Sequence, residues 1–123
     1  MTSEPGNPSY GTDPRVTLLR LRDTLTAELA TTRQALLAIR QLRADRSDDD
    51  EHDPEGAPLS GEWSRLDGQH RAAQQRVRDV EAALASVDAG RYGICARCGE
   101  PIAPGRLAYS PTADRCVRCA GRP

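Results

Sequence analysis

The chain has no phenylalanine and no lysine, and it holds only one tryptophan, one methionine and three tyrosines. So few large apolar side chains exclude a thick, multilayered core. A chain of 123 residues with 37% hydrophobic content must stay partly unfolded, adopt an elongated fold with a single seam, or be stapled by a metal. No apolar run approaches the ~20 residues needed to cross a bilayer. The start, Met1 to Asp13, is polar and broken by Pro5, Gly6, Pro8 and Gly11. It lacks the basic-then-apolar order of a secretory signal, so a cytoplasmic protein is expected. A formal net charge of −1 argues against counterion-driven binding to nucleic acid, which wants a strongly basic chain. All the basic residues are arginine. The codon bias of a GC-rich genome and a selective use of bidentate guanidinium forks both explain that, and composition does not separate them. There is no Ser–His–Asp set, no phosphate-binding loop and no pair of buried carboxylates, so no enzyme is expected.

What is present is periodic. Residues 1–12 read as a flexible tail. Asp13 is placed to cap a helix and Pro14 suits its first position. From there an apolar stripe runs through Leu18, Leu21, Leu25, Leu29, Thr32, Leu36, Ile39 and Leu42, which is one face of a helix. Residues 45–58 interrupt it with Asp, Ser, Pro and Gly, and hold seven acids against one arginine. A second stripe follows: Leu59, Trp63, Leu66, His70, Ala73, Val77, Val80, Leu84 and Val87, stepping by three and four. That is a heptad seam. Trp63 and His70 lie on it and are read as core and as a satisfied interface histidine. Gly61 and Gly68 weaken its first turns by about 1 kcal/mol each, and Gly90 is a C-cap candidate. Two such helices joined by a loop predict an antiparallel hairpin over residues 13–90. It carries the acidic loop, 45–58, at its far tip.

Residues 91–123 follow a different logic. Their cysteines are spaced Cys95-x2-Cys98-x17-Cys116-x2-Cys119. Two residues between cysteines let one tight knuckle present both sulfurs, and four thiolates suit a tetrahedral zinc. Such a site is structural, with no open position for chemistry. Redox disulfides lack the flanking βαβ pattern here; an iron–sulfur cluster remains compatible with four thiolates. Only Ile94, Ile102, Leu107, Tyr92 and Tyr109 provide bulk, so folding of this segment should depend on the metal. It is also basic, with Arg91, Arg97, Arg106, Arg115, Arg118 and Arg122 against Glu100 and Asp114. These arginines either offset the charge of the metal site or face an acidic partner.

The segment contains the longer pattern Cys-x2-Cys-x3-Ile-x3-Arg-x4-Pro-x4-Cys-x2-Cys, filled by Cys95, Cys98, Ile102, Arg106, Pro111, Cys116 and Cys119 and preceded by Tyr92-Gly93-Ile94. With this motif, and with the hairpin before it, residues 14–121 resemble the DksA/TraR family of bacterial transcription regulators. Ala96 departs from the polar or acidic residue usual there. The resemblance implies a mainly α fold, a long antiparallel helical hairpin (a coiled coil) followed by a small four-cysteine zinc finger. It implies a protein that binds RNA polymerase core directly rather than specific DNA sequences. The hairpin would enter the secondary channel and bring acidic tip residues to the catalytic centre, in some members together with the alarmone ppGpp. The tip pattern of the family, Asp-x-x-Asp-x-Ala, is met only loosely. Asp53-Pro54-Glu55-Gly56-Ala57 is one residue short, with Glu in the second place, while Asp50 and Asp53 keep the spacing without the Ala. Asp50, Asp53, Glu55 and Ala57 are therefore the tip candidates. A monomer is expected. The alternatives are a stress or scaffold protein that keeps the fold without polymerase activity, and a nucleic-acid-binding zinc module built on the arginine-rich finger.

Overall fold

The computed structural model describes residues 13–47 and 56–121, with side chains outside 46–47 and 56–59. The expected tail, 1–12, and the tip candidates Asp50, Asp53 and Glu55 lie outside the described residues. Ala57 enters only through its backbone. Four helices follow in order: α1 (Pro14–Ser47), α2 (Gly56–Asp88), α3 (Pro104–Tyr109) and α4 (Val117–Ala120). The stretch expected as a loop, 45–58, thus overlaps helix at both ends, with 45–47 in α1 and 56–58 in α2. No helix among the described residues is long and apolar enough to cross a membrane.

The ends of the long helices are set locally. The Asp13 carboxylate accepts the backbone N–H of Arg15 at 2.9 Å, and its carbonyl accepts that of Thr17 at 3.1 Å. The first bond satisfies one orphan donor of the first turn, and the second is the first regular bond of the helix. At the other end of the hairpin, Gly90 adopts φ +73°. Its N–H bonds the carbonyl of Val87 at 3.1 Å, while that of Arg91 bonds Ser86 at 2.8 Å. This pair of bonds is a Schellman cap, and glycine meets the left-handed conformation it needs without strain.

The helices pack antiparallel: partner positions rise along α1 as they fall along α2, from Arg15–Asp88 to Thr32–His70 and Arg43–Ser60. The chain divides into two compact units. In the first, Met1–Asp23 with Arg78–Pro123, Leu18 of α1 is buried, as are Val80, Ala83 and Leu84 of α2. In the second, Thr24–Val77, the buried residues are Leu25, Thr32 and Ile39 from α1 and Leu66 and Ala73 from α2. Spacing of seven recurs on both helices: 18, 25, 32 and 39 on one, 66, 73 and 80 on the other. Each full burial of a Leu or Val is worth about 1.5–3 kcal/mol. The seam therefore rests on a few positions rather than on the whole stripe. Leu42, expected on it, is 44% exposed.

Thr32 puts a polar group inside the seam. Its hydroxyl lies 3.0 Å from the Glu28 carbonyl and 2.7 Å from Nδ1 of His70. A hydroxyl has one proton to give and two lone pairs. With that proton on the Glu28 carbonyl, it accepts from Nδ1–H of His70. A polar pair at one seam position favours the register in which the two groups meet.

Candidate metal centre

After the Gly90 cap the chain turns back on itself. An isolated antiparallel bridge joins Ile94 to Pro101, supported by the Ile102 N–H donating to the Gly93 carbonyl at 2.7 Å and that of Cys95 to the Glu100 carbonyl at 2.8 Å. Between them lies the first knuckle. Gly99 takes φ +78° and its N–H reaches the Cys95 carbonyl at 2.9 Å, so the chain can double over within four residues and turn both sulfurs to one side. The second knuckle is α4, whose start at Cys116 is tied by Cys119 and Ala120 N–H bonds to the Cys116 carbonyl. The two knuckles are joined by the Ala96 N–H to the Asp114 carbonyl at 2.7 Å.

These turns bring the Sγ atoms of Cys95, Cys98, Cys116 and Cys119 within 4.8 Å of one another, with Cys98 and Cys116 3.8 Å apart. A tetrahedron with Zn–S arms of ~2.3 Å has edges of about 3.8 Å. The donor set is all thiol, and Cys95, Cys116 and Cys119 are buried while Cys98 is exposed. Size and chemistry therefore fit one zinc ion, which these four cysteines hold with no position left for substrate or water.

Crowding splits the thiols. The backbone N–H of Cys116, followed by those of Cys98 and Arg97, overcomes burial and lowers Cys95 to about 6. At Cys98 the backbone N–H of Glu100 pulls downward. Desolvation and the side chains of Cys95, Cys116 and Cys119 outweigh it and push the thiol up to about 11. At Cys116 burial pushes upward, but the Cys119 backbone N–H and the side chains of Cys119 and Cys98 leave the thiol below its ordinary value. Four acids this close do not ionise independently; a divalent cation relieves the repulsion and lets all four become thiolates.

The other motif residues serve the same small core. Ile102 is 3% exposed and packs with the buried cysteines, with Leu107 against them. Arg106 donates from Nε to the Arg115 carbonyl at 2.7 Å, fixing the approach to the second knuckle. Tyr92 donates its hydroxyl to the Pro111 carbonyl at 2.7 Å, and partial burial raises the phenol above its ordinary value. Gly93 has φ +85°, and a Cβ there would stand 3.5 Å from Leu107. Three expectations fail. Tyr109, read as bulk for the finger, is 92% exposed and Ile94 is 43% exposed; the finger's buried cluster is Ile102 with the cysteines, and Leu107 packs against it. Arg106, grouped with the surface arginines, is committed to a backbone carbonyl. Trp63, read as core, is only half-buried and has two guanidiniums over its ring.

The described residues form a helical hairpin and a closed four-cysteine site. Residues 90–123 match the prokaryotic dksA/traR C4-type zinc finger. It is 43% identical over 44 residues to an uncharacterised protein of Aquifex aeolicus (strain VF5). Over 68 residues it is 34% identical to the RNA polymerase-binding transcription factor DksA of Haemophilus influenzae (strain ATCC 51907 / DSM 11121 / KW20 / Rd). The matches take in 36% and 54% of this chain and span 30% and 47% of those relatives. The fold is that of the transcription factor DksA2 from Pseudomonas aeruginosa, with a TM-score of 0.71 at 24% identity, over 85% of this chain and 75% of that one.

Proposed function

We propose that this protein is a cytoplasmic transcription regulator that binds RNA polymerase core through its helical hairpin, with the zinc finger as a structural base and no catalysis of its own. The observation that carries the proposal is the joining, in one chain, of an antiparallel hairpin to a finger whose every motif residue is occupied in structural work. That leaves the hairpin to meet the partner. The sequence likeness to an RNA polymerase-binding factor supports the same partner. In this reading the hairpin enters the secondary channel, and Asp50, Asp53 and Glu55, with Ala57, approach the catalytic centre. Carboxylates there act on metal ligands or basic groups, and ppGpp is a co-ligand of the complex. The shortened tip favours one second reading, a scaffold that keeps the fold and has lost the effect on transcription.

The test is binding of the zinc-loaded protein to purified RNA polymerase core from the source organism, with open-complex lifetime measured alongside, with and without ppGpp. Saturable binding, with a lifetime effect lost in the Asp53→Asn, Glu55→Gln variant, is the expected result. Binding without any lifetime effect selects the second reading, and absence of binding refutes both the partner and the role.

A further inference from the structure

The last turns of α1 and the early turns of α2 carry a cluster that the metal centre does not use. The guanidinium carbons of Arg40 and Arg43 lie 5.9 Å and 5.6 Å from the centroid of the Trp63 ring, within cation–π range. Arg43 also donates to the Ser60 hydroxyl at 3.1 Å. Both arginines are exposed and the indole is half-buried. Leu37, one turn before Arg40 on the same flank of α1, is 50% exposed. Among the described residues no carboxylate pairs with either arginine. The nearby acids are engaged elsewhere: Asp45 accepts from Gln41 at 3.2 Å, and Glu62 holds Arg65.

Two like charges gathered over one ring repel each other, so the arrangement is useful chiefly when an anion meets it. The indole orients both guanidiniums while leaving most of their five donors each for a partner. Tryptophan and arginine are also the residues most enriched where protein interfaces concentrate their binding energy. A nucleic-acid strand fits less well. With two guanidiniums over the ring, the indole offers little open face for base stacking, Leu37 adds an apolar contact rather than charge, and the chain as a whole is at −1.

We infer that Leu37, Arg40, Arg43 and Trp63 form a docking surface for an acidic, amphipathic protein segment, one that presents carboxylates beside an apolar side chain. This rests on the polymerase-binding reading and places the segment on the polymerase. The guanidiniums take the carboxylates in bidentate pairs, and Leu37 with the indole edge receives the apolar side chain.

The experiment is equilibrium binding of the whole, zinc-loaded chain to RNA polymerase core. It compares the unmodified chain, Arg40→Glu/Arg43→Glu, and a charge-matched control on the same two helices, Arg33→Glu/Arg76→Glu, both exposed. The patch predicts a loss of about 30-fold or more for the first variant, with the control within about threefold. Thermal melting reports whether the hairpin stays folded. Should charge reversal lower the melting temperature, Arg40→Gln/Arg43→Gln, which removes charge without adding repulsion, is expected to lose about tenfold. Unchanged affinity in the 40/43 variants with normal binding by the unmodified chain overturns the patch and leaves the polymerase reading standing. Equal losses in both charge-reversed proteins overturn it too, by showing a bulk charge effect. Tight binding of a single-stranded oligonucleotide that the 40/43 substitutions abolish would make the surface a nucleic-acid site and overturn the proposal. No binding by the unmodified chain refutes the polymerase reading, and the patch falls with it.

Discussion

Withdrawing the zinc should unfold the finger and leave the hairpin standing. The finger buries only Ile102 and its own cysteines, with Leu107 partly covered. Complete burial of one Ile is worth about 1.5–3 kcal/mol. Ordering the backbone from Arg91 to Gly121 costs about 1–2 kcal/mol per residue, far more than that apolar contact returns. A structural zinc contributes on the order of 10–16 kcal/mol in finger peptides, and here its loss also leaves four crowded thiols that ionise unequally. The unit Thr24–Val77 holds a seam of its own in Leu25, Thr32, Ile39, Leu66 and Ala73, so the hairpin should stand without the metal. Its helices hold 34 and 33 residues against 6 and 4 in α3 and α4. Chelation should therefore remove about an eighth of the helical ellipticity at 222 nm, a fraction set by these helix lengths because each helical residue adds roughly equally. Hydrogen exchange should accelerate over residues 91–121, including the Ile102 amide that bonds Gly93. Finger amides that stay protected after chelation, or a fall of more than about a third in ellipticity, would refute the division into a self-standing hairpin and a metal-dependent finger.

Three further outcomes follow from named residues. Ile102→Ala should cost about 2–4 kcal/mol of finger stability; because folding and metal binding are coupled, a competition titration should show zinc affinity weaker by roughly 30-fold or more, and an unchanged affinity would deny Ile102 its place in the core. Gly68→Ala should raise the melting temperature, by the equivalent of about 0.5–1 kcal/mol, since a Cβ there meets nothing within 4 Å; a lower melting temperature would mean that the open face is covered by something else. Acidification should release the metal. Cys95 is lowered from 9.0 to about 6, so its contribution to the folded finger is complete above the ordinary thiol value and drains away as pH falls through 6. Protons also compete with zinc at all four sulfurs. Occupancy read with a chromogenic indicator should drop between pH 7.5 and 5, and a flat profile would contradict thiolate ligation.

Much of this protein is written locally. Spacing alone named the four ligands, because a Cys-x2-Cys knuckle is a property of a few consecutive residues and glycine at position 99 supplies its positive φ. The helix starts and stops at Asp13-Pro14 and Gly90 are equally local, since a cap answers to its own side chain and to the neighbouring amides. Heptad periodicity located the seam, with Leu18, Leu25, Leu66, Ala73 and Val80 buried where the pattern put them.

What sequence could not decide is which of several chemically equivalent residues a contact uses. Leu42 continues the stripe yet faces solvent, because the seam depends on where a second helix lies and not on apolar character. Arg106 is one arginine among many until the chain folds and brings the Arg115 carbonyl within 2.7 Å. Trp63 reads as core in a heptad, but Arg40 and Arg43 arrive over it from the other helix. The i,i+3 spacing of those arginines was visible; the ring opposite them was not. Local rules fix backbone turns and periodicity over a few residues. Pairings such as Thr32 with His70 or Tyr92 with Pro111 join residues many positions apart, and only the antiparallel packing and the doubled-back finger bring them together.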